Sequence, residues 1–426
     1  MSNWQQITLG DLQTHERRKA SVPPQGSRTS ISGWQQMVLG DLLTRVRRKV
    51  SVEDGVTYPA VSVQMYGRGL GEKEPFVGGV SKYTTLNAVR ENDVVLRTIT
   101  AFEAPAGVAR AEHGGTHVSG VFITYEVDQS ALPEFLGLYF QTPAFWDEMQ
   151  NRASGTVLRR KTISDASFRA IPFALPPLPT QKRIIKAIGA VDHQIAALNA
   201  ESEALEGILA SLRSDLPETD HQPISDVLLG IDSGKSVQAG AEASTEDEYR
   251  ILKLSAVQRG WFKPSEAKTL GDNAAFSPSH VVKNGDLLIT RANTPERVGF
   301  VAVAKNVPEG TFMPDLIWRL RVDESRVRTD YLEHALSSCE LRTSISGTAS
   351  GTSKSMVKIN KRGFGTVRVP IPSLPEQGNY VRRCDAVAGG IMATRAEEAR
   401  LRRVRAGLLL GLLDRTIEIE SAELGV

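Results

Sequence analysis

The chain has 426 residues, of which 41% are hydrophobic and 23% charged, a composition typical of a globular protein with several domains. The formal net charge is only +2, which excludes a polybasic tail but allows a local basic surface. The two cysteines, Cys339 and Cys384, do not form a C-x-x-C pair, which excludes a disulfide framework and a cysteine-rich zinc module.

The N-terminal segment is a short duplication. The sequence from Trp4 to Leu12 returns 30 positions later, from Trp34 to Leu42, and a Pro/Gly-containing linker separates the two copies. A unit of this size buries little apolar area, so residues 1–32 are interpreted as a duplicated N-terminal extension. No signal peptide is visible, and neither end has an apolar stretch of membrane-spanning length, which predicts a cytoplasmic protein.

A second repeat divides the rest of the chain into two halves. The Ala-Ser-Gly-Thr segment that begins at Ala153 recurs at Ala349, and the Pro-x-Leu-Pro-x-Gln segment that begins at Pro176 recurs at Pro372. Both pairs share one offset of 196 residues. Each half combines runs typical of strands with amphipathic helices, and a long helical pattern follows each half. We therefore predict an α+β chain with mixed domains at 33–175 and 217–371, followed by helices at 176–216 and 372–426.

The two long helices are predicted to carry a heptad seam. In the first helix the apolar positions are spaced four and three residues apart, as in a coiled coil, with one polar interruption at Ser202. The second helix loses this spacing at Thr394, Glu398 and Arg405, and Val404, Leu412 and Leu413 offer a shifted alternative register. Because neither seam has a partner in its own half, we predict that the helices pack on each other in antiparallel orientation; the alternative is that each packs on its own domain. The predicted seam residues are Ile184, Ile188, Val191, Ile195, Leu198, Leu205, Leu209, Leu212, Val387, Ile391, Leu401 and Leu408.

No pattern predicts a reaction centre. His113 and His117 are four residues apart, but two intervening glycines argue against a helix that carries both to one metal, and no third ligand is suitably spaced. The Gly-Lys-Ser segment that ends at Ser236 lacks the earlier glycine of a Walker loop. Neither a methyltransferase motif nor a Gly-x-Gly cofactor loop is found. We therefore expect a recognition protein with no enzymatic activity, no metal and no cofactor of its own.

Basic side chains cluster at a few places and are the candidate nucleic-acid contacts. One run opens the first mixed domain, and others follow the two Ala-Ser-Gly-Thr turns. Such turns offer hydroxyls, backbone N–H groups and cations to phosphates, and arginine also reads guanine edges. For any single residue the alternative is an ordinary solvated charge. The candidate DNA-binding residues are Arg45, Arg47, Arg48, Lys49, Arg68, Arg159, Arg160, Lys161, Lys235, Lys354, Lys358 and Lys361.

Residues 175–195, with their Pro-Pro-Leu-Pro-Thr-Gln sequence, resemble the helical region of type I restriction–modification specificity subunits. The second copy at residues 371–377 ends in Pro-Glu-Gln and resembles that region more completely. Residues 34–42 and 224–227 resemble the starts of the family's two target recognition domains. The sequence departs from the family pattern in its duplicated N-terminal segment, in Thr180 where Glu is usual, and in the interrupted second seam.

The resemblance implies two tandem target recognition domains joined by two long antiparallel coiled-coil helices. Each domain of such a subunit reads one half of a bipartite double-stranded DNA target, and the helices set the spacing and dock DNA methyltransferase subunits, expected to be two. Restriction subunits can join in phage defence, so S-adenosylmethionine, ATP and Mg²⁺ are expected in partner subunits and no membrane is involved. The alternative is a scaffold or inhibitor paralogue that docks a methyltransferase or another phage-defence effector without reading DNA.

Overall fold

The structure is a computed structural model that describes residues 33–157, 160–235, 249–270, 277–350 and 356–419. The duplicated extension and the candidate residues Arg159 and Lys354 lie outside the described residues. The chain forms two compact units: unit 1 comprises Met1–Gly189 and Gly407–Val426, and unit 2 comprises Ala190–Ala406. None of the described helices is both long enough and apolar enough to cross a membrane.

The elements are numbered in chain order over the described residues. The strands are β1 (Gln35–Val38), β2 (Leu43–Val46), β3 (Lys49–Ser51), β4 (Thr57–Val63), β5 (Leu70–Val77), β6 (Thr85–Ala88), β7 (Val94–Arg97), β8 (Ala106–Val108), β9 (His117–Val118), β10 (Phe122–Val127), β11 (Pro172–Leu175), β12 (His221–Pro223), β13 (Leu228–Ser233), β14 (Arg250–Leu252), β15 (Val257–Gln258), β16 (Trp261–Phe262), β17 (Ala267–Thr269), β18 (Leu287–Thr290), β19 (Ala292–Asn293), β20 (Val301–Val303), β21 (Thr311–Phe312), β22 (Ile317–Val322), β23 (Val357–Lys358) and β24 (Arg368–Pro370). The α-helices are α1 (Leu39–Leu42), α2 (Pro133–Tyr139), α3 (Pro143–Arg152), α4 (Asp165–Arg169), α5 (Leu178–Ser214), α6 (Thr329–Leu336), α7 (Cys339–Gly347), α8 (Lys361–Gly365) and α9 (Leu374–Leu413).

Unit 1 is built on an antiparallel four-stranded sheet in the order β2-β10-β7-β8. Side chains alternate between the two faces of a strand, so both faces of β7 can be buried. Val94 and Leu96 belong to a core shared with α2, α3 and α4, whereas Val95 packs with Val61 and Val118 of the five-stranded sheet β3-β6-β9-β4-β5. The pair β1-β11 connects the start of the domain to the segment that precedes α5.

Unit 2 repeats this plan. Its central antiparallel sheet has the order β13-β22-β18-β20, and the pair β12-β24 corresponds to β1-β11. Leu287 and Ile289 of β18 belong to a core shared with α6, α7 and α8, whereas Leu288 packs on the opposite face with Leu252 and Phe262. The mixed α+β content expected from the sequence is therefore confirmed, and the same strand order recurs in both units.

The long helices α5 and α9 contribute to the cores of both units. In unit 1, Ile184 and Ile188 of α5 share a core with Leu409 and Leu412 of α9, and in unit 2 Leu209 of α5 shares a core with the first turns of α9. Within unit 1 the start of α5 packs with the end of α9, and within unit 2 the end of α5 packs with the start of α9. Each helix also packs on the core of the domain that precedes it, so the two packing modes that the sequence left open occur together.

The last turns of α9 differ from the predicted seam. Leu409 and Leu412 are buried there, whereas the predicted Leu408 and Leu401 are only half-buried. A straight helix has 3.6 residues per turn and drifts from a strict seven-residue repeat, so a seam interrupted by polar residues need not resume in the same register. The buried positions follow the apolar residues available near the C-terminal end of α9.

Candidate nucleic-acid interface

A buried glutamine in the first turn of α5 connects this helix to the domain of unit 1. Gln181 Oε1 accepts a hydrogen bond from the backbone N–H of Leu132 at 2.7 Å. Its Nε2 donates to the backbone carbonyls of Ser130 at 2.9 Å and Pro176 at 2.8 Å. The side chain is fully buried, so all of its hydrogen-bonding capacity is used by the protein.

The corresponding glutamine of unit 2 makes the same set of contacts. Gln377 Oε1 accepts from the N–H of Arg328 at 2.8 Å, and its Nε2 donates to the carbonyls of Arg326 at 3.1 Å and Pro372 at 2.8 Å. Every partner lies 196 residues after its counterpart in unit 1. The repeated Pro-x-Leu-Pro-x-Gln motif thus connects each domain to its long helix, a role that spacing alone did not indicate. We call Gln181 and Gln377, with their hydrogen bonds, the glutamine joints.

Basic side chains of unit 1 line a groove at the junction of β2 and β3. Arg45, Arg47 and Lys49 occupy alternate positions and are exposed, because side chains two residues apart lie on one face of extended chain. They line a groove of about 180 Å³ together with polar residues that include Asn87 and Thr124, and the lining contains no carboxylate among the residues that the structure describes. We call this surface the basic groove.

Arg48 lies on the opposite face and is held by two carboxylates. Its guanidinium contacts Asp93 at 2.6 and 3.1 Å and Glu126 at 2.7 Å. Burial by itself lowers the pKa of Arg48, but the hydrogen bonds to Asp93 and Glu126 outweigh it and raise the pKa above its ordinary value. Arg48 is therefore a structural cross-link, and we remove it from the proposed DNA contacts. The guanidinium of Arg45 lies 3.4 Å from the Asp165 carboxylate, and the Arg45 side chain still lines the basic groove.

The turn with Arg160 and Lys161 lies at the same end of the central sheet as the basic groove. Thr162 forms bridges with Ile99, just after β7 ends, and with Ser154. In the sheet, the C-terminal ends of β2 and β7 both lie beside the N-terminal half of β10. Arg160 is exposed and Lys161 is half-buried. Arg68 is exposed on the loop between β4 and β5 and is not part of the groove lining.

Unit 2 places its basic residues at the equivalent end of its own sheet. Lys235 follows the C-terminal end of β13, and its backbone N–H donates to the Met313 carbonyl at 3.2 Å. The exposed Lys358 pairs with Ala292, just after β18 ends, and forms a bridge with Ser350. This bridge lies 196 residues after the Ser154–Thr162 bridge of unit 1. The Nζ of Lys361 donates to the Ile231 carbonyl at 2.6 Å, so this lysine also supports the local fold.

Unit 2 also contains a buried polar cluster that no sequence motif indicated. Arg213 of α5 donates to Nδ1 of His334 at 3.3 Å, and Nε2 of His334 lies 2.9 Å from Asp385 of α9. The imidazole of His334 thus connects Arg213 of α5 with Asp385 of α9. Glu333 accepts from the Val303 N–H at 2.7 Å, and burial raises the pKa of its carboxyl. Within the described ranges, no group of three His, Cys, Asp or Glu residues is placed to hold a metal ion.

Comparisons with known proteins show what the chain is similar to. Residues 31–207 match the family model described as the type I restriction modification DNA specificity domain. The specificity subunit of the type I restriction enzyme EcoEI from Escherichia coli is 25% identical over 150 residues, which span 35% of this chain and 25% of that protein. The specificity subunit of the type I restriction enzyme MjaVIII from Methanocaldococcus jannaschii is 21% identical over 399 residues, 85% of this chain and 87% of that protein.

A solved structure supports the same fold. A chain from a study of complex assembly and conformational transition of the type I R-M system aligns with a TM-score of 0.55 and 18% identity, covering 89% of this chain and 97% of that one. The match to the DNA specificity domain also favours DNA recognition over a scaffold that does not read DNA. Residues 31–207 are therefore similar to a type I restriction modification DNA specificity domain, and most of the chain is similar to a type I restriction enzyme specificity subunit.

Proposed function

We propose that this chain recognises a specific DNA sequence within a type I restriction–modification complex. Each unit reads one half of a bipartite double-stranded target, and α5 and α9, acting as coiled-coil helices, set the spacing of the two halves and dock methyltransferase subunits. The observation that carries the proposal is the basic groove of unit 1, which lies within the matched specificity domain and has no carboxylate among its described lining residues.

The basic groove has the chemistry that DNA recognition requires. Cations that are not neutralised by the protein attract phosphates, and each phosphate contact releases counterions, so affinity depends on salt. The side chains of Arg47 and Lys49 are exposed and have no ion-pair partner in the part of the chain that the structure describes. Asn87 and Thr124 add neutral hydrogen-bonding groups of the kind that contact base edges and the phosphate–sugar backbone.

The proposal assigns the chemistry to partner subunits. We propose that methyltransferase subunits, two in number, bind S-adenosylmethionine and that restriction subunits, where present, use ATP and Mg²⁺. This chain itself then binds DNA and positions its partners in the cytoplasm, and it is not an enzyme.

The test is to map methylated sites by sequencing after the chain is expressed with a type I methyltransferase subunit that forms a complex with it. The wild-type complex is expected to methylate one bipartite sequence. Arg47→Ala should lower its affinity for the target and reduce the slope of log affinity against log salt by about one. Arg90→Ala is the matched control, since Arg90 is exposed in the same unit but precedes β7, at the other end of the sheet. Methylation without sequence preference, or equal effects of both substitutions, contradicts the proposal.

A further inference from the structure

Two aliphatic side chains are exposed at the end of the sheet that carries the basic groove. Ile99 follows β7 and has 41% of its surface exposed, and Val121 precedes β10 with 37% exposed. They are held close together because the N–H and Oγ1 of Thr98 donate to the carbonyl of Val121 at 3.0 and 2.9 Å. We call these two residues the apolar pair.

Basic residues flank the apolar pair on two sides. Gly120 and Phe122, the neighbours of Val121, both line the basic groove with its three cations. On the other side, Ile99 is bridged to Thr162, whose neighbour is Lys161. A surface that holds phosphates through these cations would therefore present the apolar pair to the groove between the two phosphate backbones.

The backbone around Ile99 is held in an unusual conformation. Thr100 has a φ of 55° and Ala104 a φ of 47°, in the left-handed region that is costly for a β-branched residue such as threonine. The surrounding structure imposes this conformation: the N–H of Ala101 donates to the Lys161 carbonyl at 3.0 Å, and Arg97 pairs with Glu103 at 3.1 Å. The exposure of Ile99 is thus fixed by the fold of the loop.

Unit 2 buries the residue that corresponds to Ile99. Ala292 is the residue that pairs with Lys358, as Ile99 pairs with Thr162, and Ala292 is fully buried. An exposed aliphatic side chain at the Ile99 position is therefore a feature of unit 1 and not a requirement of the shared fold.

We propose that Ile99 and Val121 contact the C5-methyl group of a thymine in the half-site that unit 1 reads. This inference rests on the proposed function. The thymine methyl is the one apolar group that base edges present in the major groove. Short β-branched side chains are stiff and project only a small distance from the backbone, which suits a contact with a methyl group. Insertion between stacked bases uses longer or bulkier apolar side chains.

The experiment measures binding of the complex with its methyltransferase to duplexes of the mapped target. Each thymine of the unit 1 half-site is replaced in turn by uracil, which lacks only the C5-methyl group. The wild-type complex is expected to lose about fourfold in affinity at one position, the effect of one buried methyl-sized group. Ile99→Ala, Val121→Ala and the shape-conserving Val121→Thr should each reduce this difference between thymine and uracil.

Val80→Ala is the matched control, because Val80 is 83% exposed in unit 1 and does not line the groove. This variant should keep the wild-type preference for thymine. If specific methylation persists, three results would overturn the inference. They are a unit 1 half-site without thymine, equal binding of thymine and uracil duplexes by the wild type, and variants that weaken binding to both duplexes equally. Loss of all sequence specificity in the wild-type complex instead refutes the proposed function and, with it, this contact.

Discussion

At the scale of single residues, hydrogen bonds within the protein decide which polar side chains remain available for a ligand. Arg47 and Arg48 are adjacent and chemically identical, but Arg48 is held by Asp93 and Glu126, whereas Arg47 lines the basic groove. The sequence predicted the basic run but could not separate these two residues, because Asp93 is 45 positions away from Arg48. Pairings over such distances depend on the sheet register, which composition and spacing do not reveal.

The glutamine joint supports a stability prediction. Gln181→Met conserves much of the side-chain volume but leaves one N–H and two carbonyls without their buried partner. Because each buried unsatisfied group costs about 1–3 kcal/mol, we expect the free energy of unfolding to fall by at least ~2 kcal/mol. The measurement is urea denaturation of the purified chain. Gln194→Met, at an exposed glutamine of the same helix, is the control, and equal losses for the two variants would show that the joint has no special role.

The buried carboxyl of Glu333 supports a prediction of pH dependence. Desolvation raises its pKa in the folded state, against the attraction of His334, Lys305 and Arg213. Folding therefore favours the protonated form, so the contribution of Glu333 to stability is present below its ordinary pKa and is lost as pH rises through the raised value. We expect Glu333→Gln to unfold at a higher temperature than the wild type at pH 7.

Calorimetry of both chains from pH 4 to pH 7 checks this expectation. The difference in unfolding temperature should shrink toward pH 4, where the wild-type carboxyl also becomes neutral. Glu340→Gln, at an exposed position of α7, should give no such trend. A gap that stays constant with pH would mean that ionisation of Glu333 does not limit stability.

At the scale of elements, apolar periodicity predicted the helices well and their contacts in part. The seam spacing located α5 and α9 and identified Ile184, Ile188 and Leu209 as buried residues. It did not identify Leu409, and it gave Leu412 only in the shifted alternative register, because polar residues in the middle of α9 interrupt the pattern. The common strand order of the two central sheets was likewise beyond prediction, since short strands of similar composition can pair in several orders.

The packing of α5 with α9 supports a prediction about unit 1. Ile188 is 1% exposed and shares a core with Leu409 and Leu412, so Ile188→Asp places a charge among the apolar side chains of that core. We expect a loss of several kcal/mol in stability and faster amide hydrogen exchange in residues 407–413. Lys186→Asp changes an exposed position two residues earlier and should leave both measurements near wild type. Retained protection of residues 407–413 in Ile188→Asp would contradict this packing.

At the scale of the whole molecule, one structural plan occurs twice with different surfaces. The glutamine joints and the Ala-Ser-Gly-Thr turns correspond at the 196-residue offset, and the two central sheets share one strand order at slightly different offsets. The surfaces at the sheet ends do not correspond: unit 1 has the basic groove and an exposed Ile99, whereas unit 2 has Lys235, Lys358 and a buried Ala292. Under the proposed function, two different surfaces on one plan predict two different half-sites.

The DNA target is therefore expected to be bipartite and asymmetric, with half-sites about 10 bp apart from centre to centre by analogy with dimeric DNA readers. Replacing both Arg47 and Lys49 by alanine should alter recognition of one half-site, and Lys358→Ala should alter only the other.

Substitution of a residue that contacts phosphate will lower the affinity for all sequences and reduce the salt slope by about one per charge removed. Substitution of a residue that contacts a base will relax specificity at one position at a cost of ~1–3 kcal/mol. Sequencing of methylated sites and salt titrations with the same variants distinguish these outcomes. Each unit has its own core and its own basic surface, so each is assigned to one half-site. A continuous palindromic target, or a substitution in one unit that changes both half-sites equally, would contradict this assignment.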